Sequence, residues 1–589
     1  MGTPRNVIKK ERYILSVDVG STVIRCHVYD KKAEIRGSSC EQVVPLHPEE
    51  GHVELDPDAL WKSFISVVKG AVKDAAVQMH QMEALGISTQ RATFTTWDRR
   101  SGIPFHNFIS WQDQRAAALV ASWNRSCTLK LIHGLMKVLH FVTRQKRSLA
   151  ASLIVFSTQH VTFRLVWALK HYKRVAQAVS DGNCCFGTID TWLLFKLTNV
   201  HPLFHGELPP PTDGLARAQT TVRSSIRSSK RCGSIHLSVW FMPPTTPTQV
   251  QLGFSTLIRS NSSTPSSSES VVCYLLSSFY WQMCWSHMLC SLVSLPLSIF
   301  PRVENTGHKF GSTDPSIFGI AVPIMSVMAD QQAAMFGECC YDVGDVKITM
   351  GTGTFMDINT GSAPHTSVNG LYPLVGWKIG SEVVYLAEGN AADTGTAIKW
   401  AQALDLFSDV EHTSTMAYSV SDSNGVCFVP SFSGLQAPLN DPKACASFMG
   451  LKPSTTKCHL VRAILESVAF RNKQLYETVL RETDIPITKI RVDGGVSSND
   501  FITQLTADLF GRKIERCRHR EMSCLGAAFV AGLGTGYWRS CEELKKLRGA
   551  DALFCPKGAP GDRSASDHAR HLERWERALR RSMYWYKQP

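Results

Sequence analysis

The chain has 589 residues, 44% of them hydrophobic and 19% charged, which is too long for one core and too apolar for a disordered chain, so two or more packed domains are expected. Its net charge of +13 comes from dispersed basic residues with small clusters at 144–147, 223–231 and 570–581, and reads as solvated helix faces rather than a nucleic-acid surface. The 18 cysteines form no CxxC pair, which argues against zinc ribbons and a small secreted disulfide framework and for reduced thiols in the cytoplasm.

The opening MGTPRNVIKKERY lacks the apolar core of a signal peptide. Residues 13–30, YILSVDVGSTVIRCHVYD, read as two strands folded back on a tight turn. The first ends on the carboxylate of Asp18, and the turn joins Gly20 to the hydroxyls of Ser21 and Thr22. Such a turn can offer N–H groups and hydroxyls to a phosphate, with a carboxylate behind it for Mg²⁺. It equally suits a buried hairpin.

Asp56-Pro57 signals a helix start, and 61–82 has an amphipathic pattern. A strand at 84–87 leads into STQRAT, where polar residues at a strand end suit substrate contacts. In SWQDQR, Trp111 suits either an apolar pocket wall or a core position. Residues 116–179 read as mostly helical, and 187–197 opens another helix. Residues 201–280, rich in Ser, Thr and Pro, have no sustained period and read as an unstructured insertion. Residues 271–300 carry no Asp, Glu, Lys or Arg, yet their serines, His287 and Pro296 make an amphipathic helix the better reading than a transmembrane span.

A strand at 318–327 ends at Asp330, which precedes a helix of small residues. A carboxylate placed there suits a general base as well as a plain helix cap. Residues 345–361, DVKITMGTGTFMDINTG, repeat the opening theme of strand, Gly/Thr turn and strand. Further on come a helix at 391–404, an amphipathic helix at 461–480, a strand at 487–492 running into Gly494-Gly495, and a small-residue helix at 523–536. Two glycines between strand and helix let a flat or anionic group approach the backbone closely.

In order, DVGST, STQRAT, SWQDQR, GTIDTWLLFKLT, ADQQAAMFGE, GTGT, DTGTAIKW, SGLQAPLNDP and VDGGVSSN resemble the FGGY carbohydrate kinases, and within them the glycerol kinases. The resemblance covers about 13–197 and 283–586. It implies an α/β fold of two ribonuclease-H-like domains, of the actin and hexokinase type, flanking a cleft for ATP and substrate. The domains would span 11–328 and 329–588. The implied reaction is ATP-dependent phosphorylation of a small polyol, with glycerol as the default acceptor. A catalytically impaired nucleotide-binding regulator and a kinase for another polyol or sugar stay open. Residue by residue, the resemblance makes Asp330 the base and puts Arg91, Trp111, Asp330 and Gln331 on the polyol. It sets Asp18 beside Mg²⁺, and Ser21, Thr22 and Arg25 toward the phosphates. Thr352, Gly395, Lys399, Gly495 and Asn499 fall on the nucleotide, with Lys399 where the family usually has Gln. The implied partners are ATP and polyol, with no nucleic acid and no transmembrane span, and a homo-oligomer is left open.

Three departures bear on the acceptor. Ala92 stands where glycerol kinases have Glu, and losing a charge-assisted hydrogen bond costs on the order of 1.5–3 kcal/mol. The family's pocket tyrosine has no clear counterpart around 150–170. The TDxSNAS(R)T-type segment expected after Leu197 is replaced by the Ser/Pro-rich stretch.

Overall fold

The structure is a computed structural model that describes residues 11–199, 287–557 and 563–586. The Ser/Pro-rich stretch and the first part of the uncharged run 271–300 lie outside the described residues. The latter's described end forms a short helix, His287–Leu292. Among the described residues no helix is long and apolar enough to cross a membrane, and every described cysteine is a free thiol.

Two sheets organise the molecule, and they are built alike. The first has six strands in the order Ile35–Gln42, Val23–Tyr29, Tyr13–Val19, Met82–Thr89, Pro323–Ala329 and Gly311–Ser312. The second has seven, in the order Tyr372–Ile379, Glu382–Ala391, Thr354–Gly361, Val346–Met350, Ile490–Asp493, Ile514–Cys517 and Ala550–Phe554. In each, an antiparallel hairpin is extended on its first strand by parallel strands. The parallel strands are nearly continuous apolar runs because helices cover both faces. The duplicated strand–turn–strand theme is therefore a duplicated sheet.

The predicted elements hold with shifted ends. The helix expected at 61–82 is Pro57–Asp74, capped by the Asp56 carboxylate, which accepts from the Asp58 and Ala59 N–H groups. It stops because Ala76 turns left-handed (φ 52°) and the Val77 N–H returns to the Val72 carbonyl. The strand expected at 318–327 is instead a helical turn, Pro315–Phe318, closed by Gly319, followed by the strand Pro323–Ala329. Ile189–Thr198 is helical, as expected, and follows the strand Cys184–Thr188. That strand belongs to a small four-stranded sheet with Glu54–Leu55, Phe108–Ile109 and Phe94–Asp98.

The two sheets are joined by a pair of helices, Asp330–Gly337 and Met522–Thr535. Met522–Thr535 packs on the strands Tyr13–Val19, Met82–Thr89 and Pro323–Ala329 of the first sheet, although it follows the second in sequence. Its residues are apolar around the whole circumference and buried from Met522 to Gly532 apart from Ser523. Small residues make the approach feasible. A Cβ on Gly526 would lie 1.7 Å from the Ala333 carbonyl oxygen, and one on Gly86 would lie 2.3 Å from that of Ala527. The Ser16 hydroxyl also donates to the Cys524 carbonyl at 2.7 Å.

Backbone cannot yield here as a side chain could. Gly526→Val should therefore destabilise the protein by about 3 kcal/mol or more, seen as a lower thermal midpoint. Gly134→Ala, on an open helix surface with nothing within 4 Å of its Cβ position, should raise stability by about 1 kcal/mol.

Candidate functional site

The strand register brings the first carboxylates together. Val19, Thr89 and Ala329 lie side by side on adjacent parallel strands, as do Asp18, Ser88 and Met328. Asp330 opens the helix immediately beyond, so it and Asp18 stand at the carboxyl ends of strands separated by one neighbour. The Ser88 hydroxyl donates to Asp18 Oδ1 at 2.8 Å, and the Gln331 N–H donates to Asp330 Oδ1 at 2.8 Å. Desolvation pushes the Asp18 carboxyl up to about 7, and the negative charge of Asp330 adds to it. Asp330 is also raised by burial, against the pull of the Arg91 guanidinium. Its side chain nevertheless keeps 25% of its surface accessible, so a ligand can reach it.

Arg91 ties this corner to the other half. Its Nη2 lies 2.8 Å from Glu388 Oε2, its Nε lies 4.0 Å from Asp330 Oδ1, and its guanidinium stands 5.6 Å from the Phe355 ring centroid. Burial opposes its charge, yet the carboxylates of Glu388, Asp330 and Asp357 outweigh that and hold the guanidinium ionised. Beside it, Lys347 and Asp357 face each other across the second hairpin and pair at 2.9 Å, both fully buried. Lys347 also donates to the Gln331 side-chain oxygen at 2.7 Å and to its carbonyl at 3.2 Å. Gln331 is thus anchored to the lysine through its side-chain oxygen.

At the opening turn, the Trp111 indole N–H donates to the Ser21 hydroxyl at 3.0 Å, and that hydroxyl donates to Gln90 Oε1. Ser21 and Trp111, expected on different ligands, touch each other. Arg25 is the cross-strand partner of Asp18 and pairs with Glu521 at 3.1 Å, while Thr22 is exposed.

The second turn assembles with the helix Gly395–Ala403. The Gly395 N–H donates to the Gly351 carbonyl at 3.1 Å, and the Thr394 and Thr396 N–H groups donate to the Thr352 carbonyl. A Cβ on Gly395 would sit 2.5 Å from the Gly351 oxygen, and one on Gly494 (φ 84°) would sit 2.6 Å from that of Met350. Gly495 differs. Nothing lies within 4 Å of its Cβ position, and its backbone is exposed. Lys399 is exposed on the same helix as Gly395. Asn499 caps the helix Asp500–Phe510, accepting from the Ile502 N–H at 3.2 Å and donating to Thr413 Oγ1 at 2.9 Å. Its side chain positions the loop after Gly495.

The residues present suit a nucleotide and a hard cation. The exposed backbone at Gly495 lets a flat or anionic group approach closely, and the Asp18 carboxylate, raised by burial and by the Asp330 charge, would gain from a divalent ion beside its oxygens. Among the described residues no cluster of three His, Cys, Asp or Glu could hold a metal alone, so water and phosphate oxygens would complete its shell.

Several site residues escaped the sequence reading. Lys347 and Asp357 are equidistant from the Gly351–Gly353 turn, as Asp18 and Arg25 are from the first, so mirrored opposite charges about a glycine turn were a usable signal. Glu388 is the one buried carboxylate of the strand Glu382–Ala391 and interrupts its apolar run. Arg164 had no such signal. Fully buried, it donates to the carbonyls of Ala92, Ile109, Ser110, Thr158 and Gln159, and desolvation lowers its pKa to about 9. It binds together the loops that carry Arg91 and Trp111, and Ala92 holds a left-handed φ of 65° there.

With this geometry in place, the comparisons with known proteins converge. The N-terminal domain model of the FGGY family of carbohydrate kinases matches residues 13–205, and its C-terminal domain model matches 346–535. The chain belongs to the FGGY family of carbohydrate kinases. It is 62% identical to glycerol kinase 5 of Danio rerio over the whole of both chains. It is 52% identical to glycerol kinase 5 of Homo sapiens, covering 98% of this chain and 96% of that one, and 30% identical to glycerol kinase 2 of Thermotoga maritima over 98% and 100%. Among solved structures, Plasmodium falciparum glycerol kinase with ADP superposes with a TM-score of 0.73 at 24% identity, covering 97% of this chain and 98% of that one. A ligand-bound xylulose kinase from Lactobacillus acidophilus follows at 0.69 and 17%, with the same coverage. The fold is therefore the two-domain architecture shared with actin and hexokinase.

Arg164→Lys keeps the charge with three donors for five carbonyls and should cost about 1–2 kcal/mol. Arg164→Met strands all five and should cost about 3 kcal/mol or more, both read from thermal unfolding.

Proposed function

We propose that this kinase transfers the γ-phosphoryl group of ATP to glycerol, giving sn-glycerol 3-phosphate, in a cleft between domains that divide at about residue 329. The observation that carries this reading is the accessible Asp330 carboxylate just past the end of its strand, 4.0 Å from the Arg91 guanidinium and close enough for its charge to raise Asp18. The glycerol kinase names of the full-length relatives support the same acceptor.

In this reading Asp330 accepts the proton of the attacking hydroxyl. Burial has already raised its basicity, which suits a group working near neutral pH. Arg91 orients the polyol from one side and Trp111 forms a wall on another. Gln331, its oxygen already bonded to Lys347, presents its amide nitrogen. Mg²⁺, held by Asp18, would neutralise the charge of the transferring phosphate. Ser21, Thr22 and Arg25 line the phosphate path, with Arg25 leaving Glu521 to do so. Thr352, Gly395 and Gly495 cradle the nucleotide, Lys399 reaches along it, and Asn499 fixes the Gly495 loop. Phosphoryl transfer asks little covalent chemistry of a protein, so in-line positioning and exclusion of water are the main tasks. With Ala92 in place of a carboxylate, acceptor orientation rests mainly on Arg91 and Gln331.

Asp330→Asn keeps the shape and removes the base. Turnover, followed by ADP release with glycerol, should fall by about 10³-fold, within the usual span for general-base loss, while ATP affinity stays within about twofold. Full rate in the variant would refute the base assignment. ATP binding without turnover on glycerol, erythritol, xylulose or dihydroxyacetone by the unmodified protein would refute the proposed activity.

A further inference from the structure

The helix Cys127–Thr143 is well formed but covered on one side only. Ser126 caps its start by accepting from the Leu129 N–H, and Arg144 ends it in the left-handed region. Its inner face buries Leu129, and Met136 with half-buried Ile132 and Leu139 packs on Ala151, Ile154 and Phe156. The opposite face is apolar as well. Leu131, Leu135, Val138, Phe141 and Val142 are 51–75% exposed, and their spacing sets Leu131, Leu135, Val138 and Val142 in one stripe. A soluble surface seldom gathers so many large apolar groups on about three turns without a partner.

The charge around the stripe is one-sided. Lys130, Lys137 and Arg144 recur every seven residues and so form a row along one flank, beyond Phe141. The Arg144 guanidinium lies 5.2 Å from the Phe141 ring centroid, a contact that lets an aromatic enter an apolar phase with its cation at the rim. From residue 114 to residue 180 the chain holds eleven Lys and Arg and no Asp or Glu. Two copies meeting through this face would bring two basic rows together with no acid to offset them. The stripe from Leu131 to Val142 spans about 16 Å, half the thickness of a hydrocarbon core, so it can lie in a bilayer surface but not cross it.

We propose that Cys127–Thr143 docks the kinase onto an anionic membrane surface. The apolar stripe enters the headgroup boundary, and Lys130, Lys137 and Arg144 lie among the lipid phosphates and carboxylates. The helix is separate from the residues assigned to phosphoryl transfer, so docking changes where the kinase works and leaves its chemistry alone.

The test is co-sedimentation of the full chain with vesicles of about 30% phosphatidylserine in phosphatidylcholine, at about 0.1 M salt. Retention is expected, at least tenfold weaker on pure phosphatidylcholine and weaker still as salt rises. Leu135→Ser with Val138→Ser, and separately Lys130→Glu with Lys137→Glu, should each reduce affinity at least tenfold, since a basic residue near such a surface contributes about fivefold. All these substituted residues are exposed, so vesicle-free kinase rates and melting temperatures should match the unmodified protein. Absence of retention on phosphatidylserine vesicles would overturn the proposal. Retention that survives both variants would overturn it too, by placing the contact elsewhere in the chain. So would a solution dimer that Leu135→Ser/Val138→Ser dissociates, since a second copy would then cover the stripe.

Discussion

The contact on which this structure depends is the crossing of Asp330–Gly337 with Met522–Thr535. Gly526 meets the backbone of Ala333, and Gly337 meets that of Met522. Both helices are short of side-chain volume where they touch, and one of them rests on the first sheet while belonging to the second half of the sequence. Because Asp330 is the first residue of a crossing helix, its position is set by backbone packing rather than by a loop. A side chain at 526 would push that helix, and with it the carboxylate, away from Arg91.

The Arg91–Glu388 pair spans the same junction. A buried ion pair is weak support for stability, because desolvation offsets most of its Coulomb gain. Its value here is geometric: a guanidinium bound to Glu388 on the second sheet is held 4.0 Å from Asp330, just past a strand of the first. Lys347 does the same for Gln331, from a strand next to the second turn. Asp330 and Gln331, beside the first sheet, are thus held by residues tied to the second, which couples relative movement of the halves to the position of the Asp330 carboxylate.

The duplicated hairpins, the carboxylate at Asp330 and the glycine turn at 494–495 were legible in the sequence because each depends on local pattern: β-branched runs, turn residues and an abrupt polar stop. Helix ends were less legible, since Ala76 takes a left-handed conformation that its side chain does not announce. The partners of the site residues were least legible. Trp111 on Ser21 and Arg164 on five carbonyls depend on which loops the fold brings together, and no spacing encodes that. Asn499 is the instructive case. Its motif was visible, yet that its side chain caps a helix and holds Thr413 was not.

The proposed reaction is phosphoryl transfer from ATP to glycerol at one site formed by these groups. Incubating the full chain with γ-³²P-labelled ATP, Mg²⁺ and glycerol, then separating the products, tests it most directly. Label should be recovered as glycerol 3-phosphate, in step with ADP. Label appearing only as inorganic phosphate, or remaining in ATP despite saturated nucleotide binding, would contradict it.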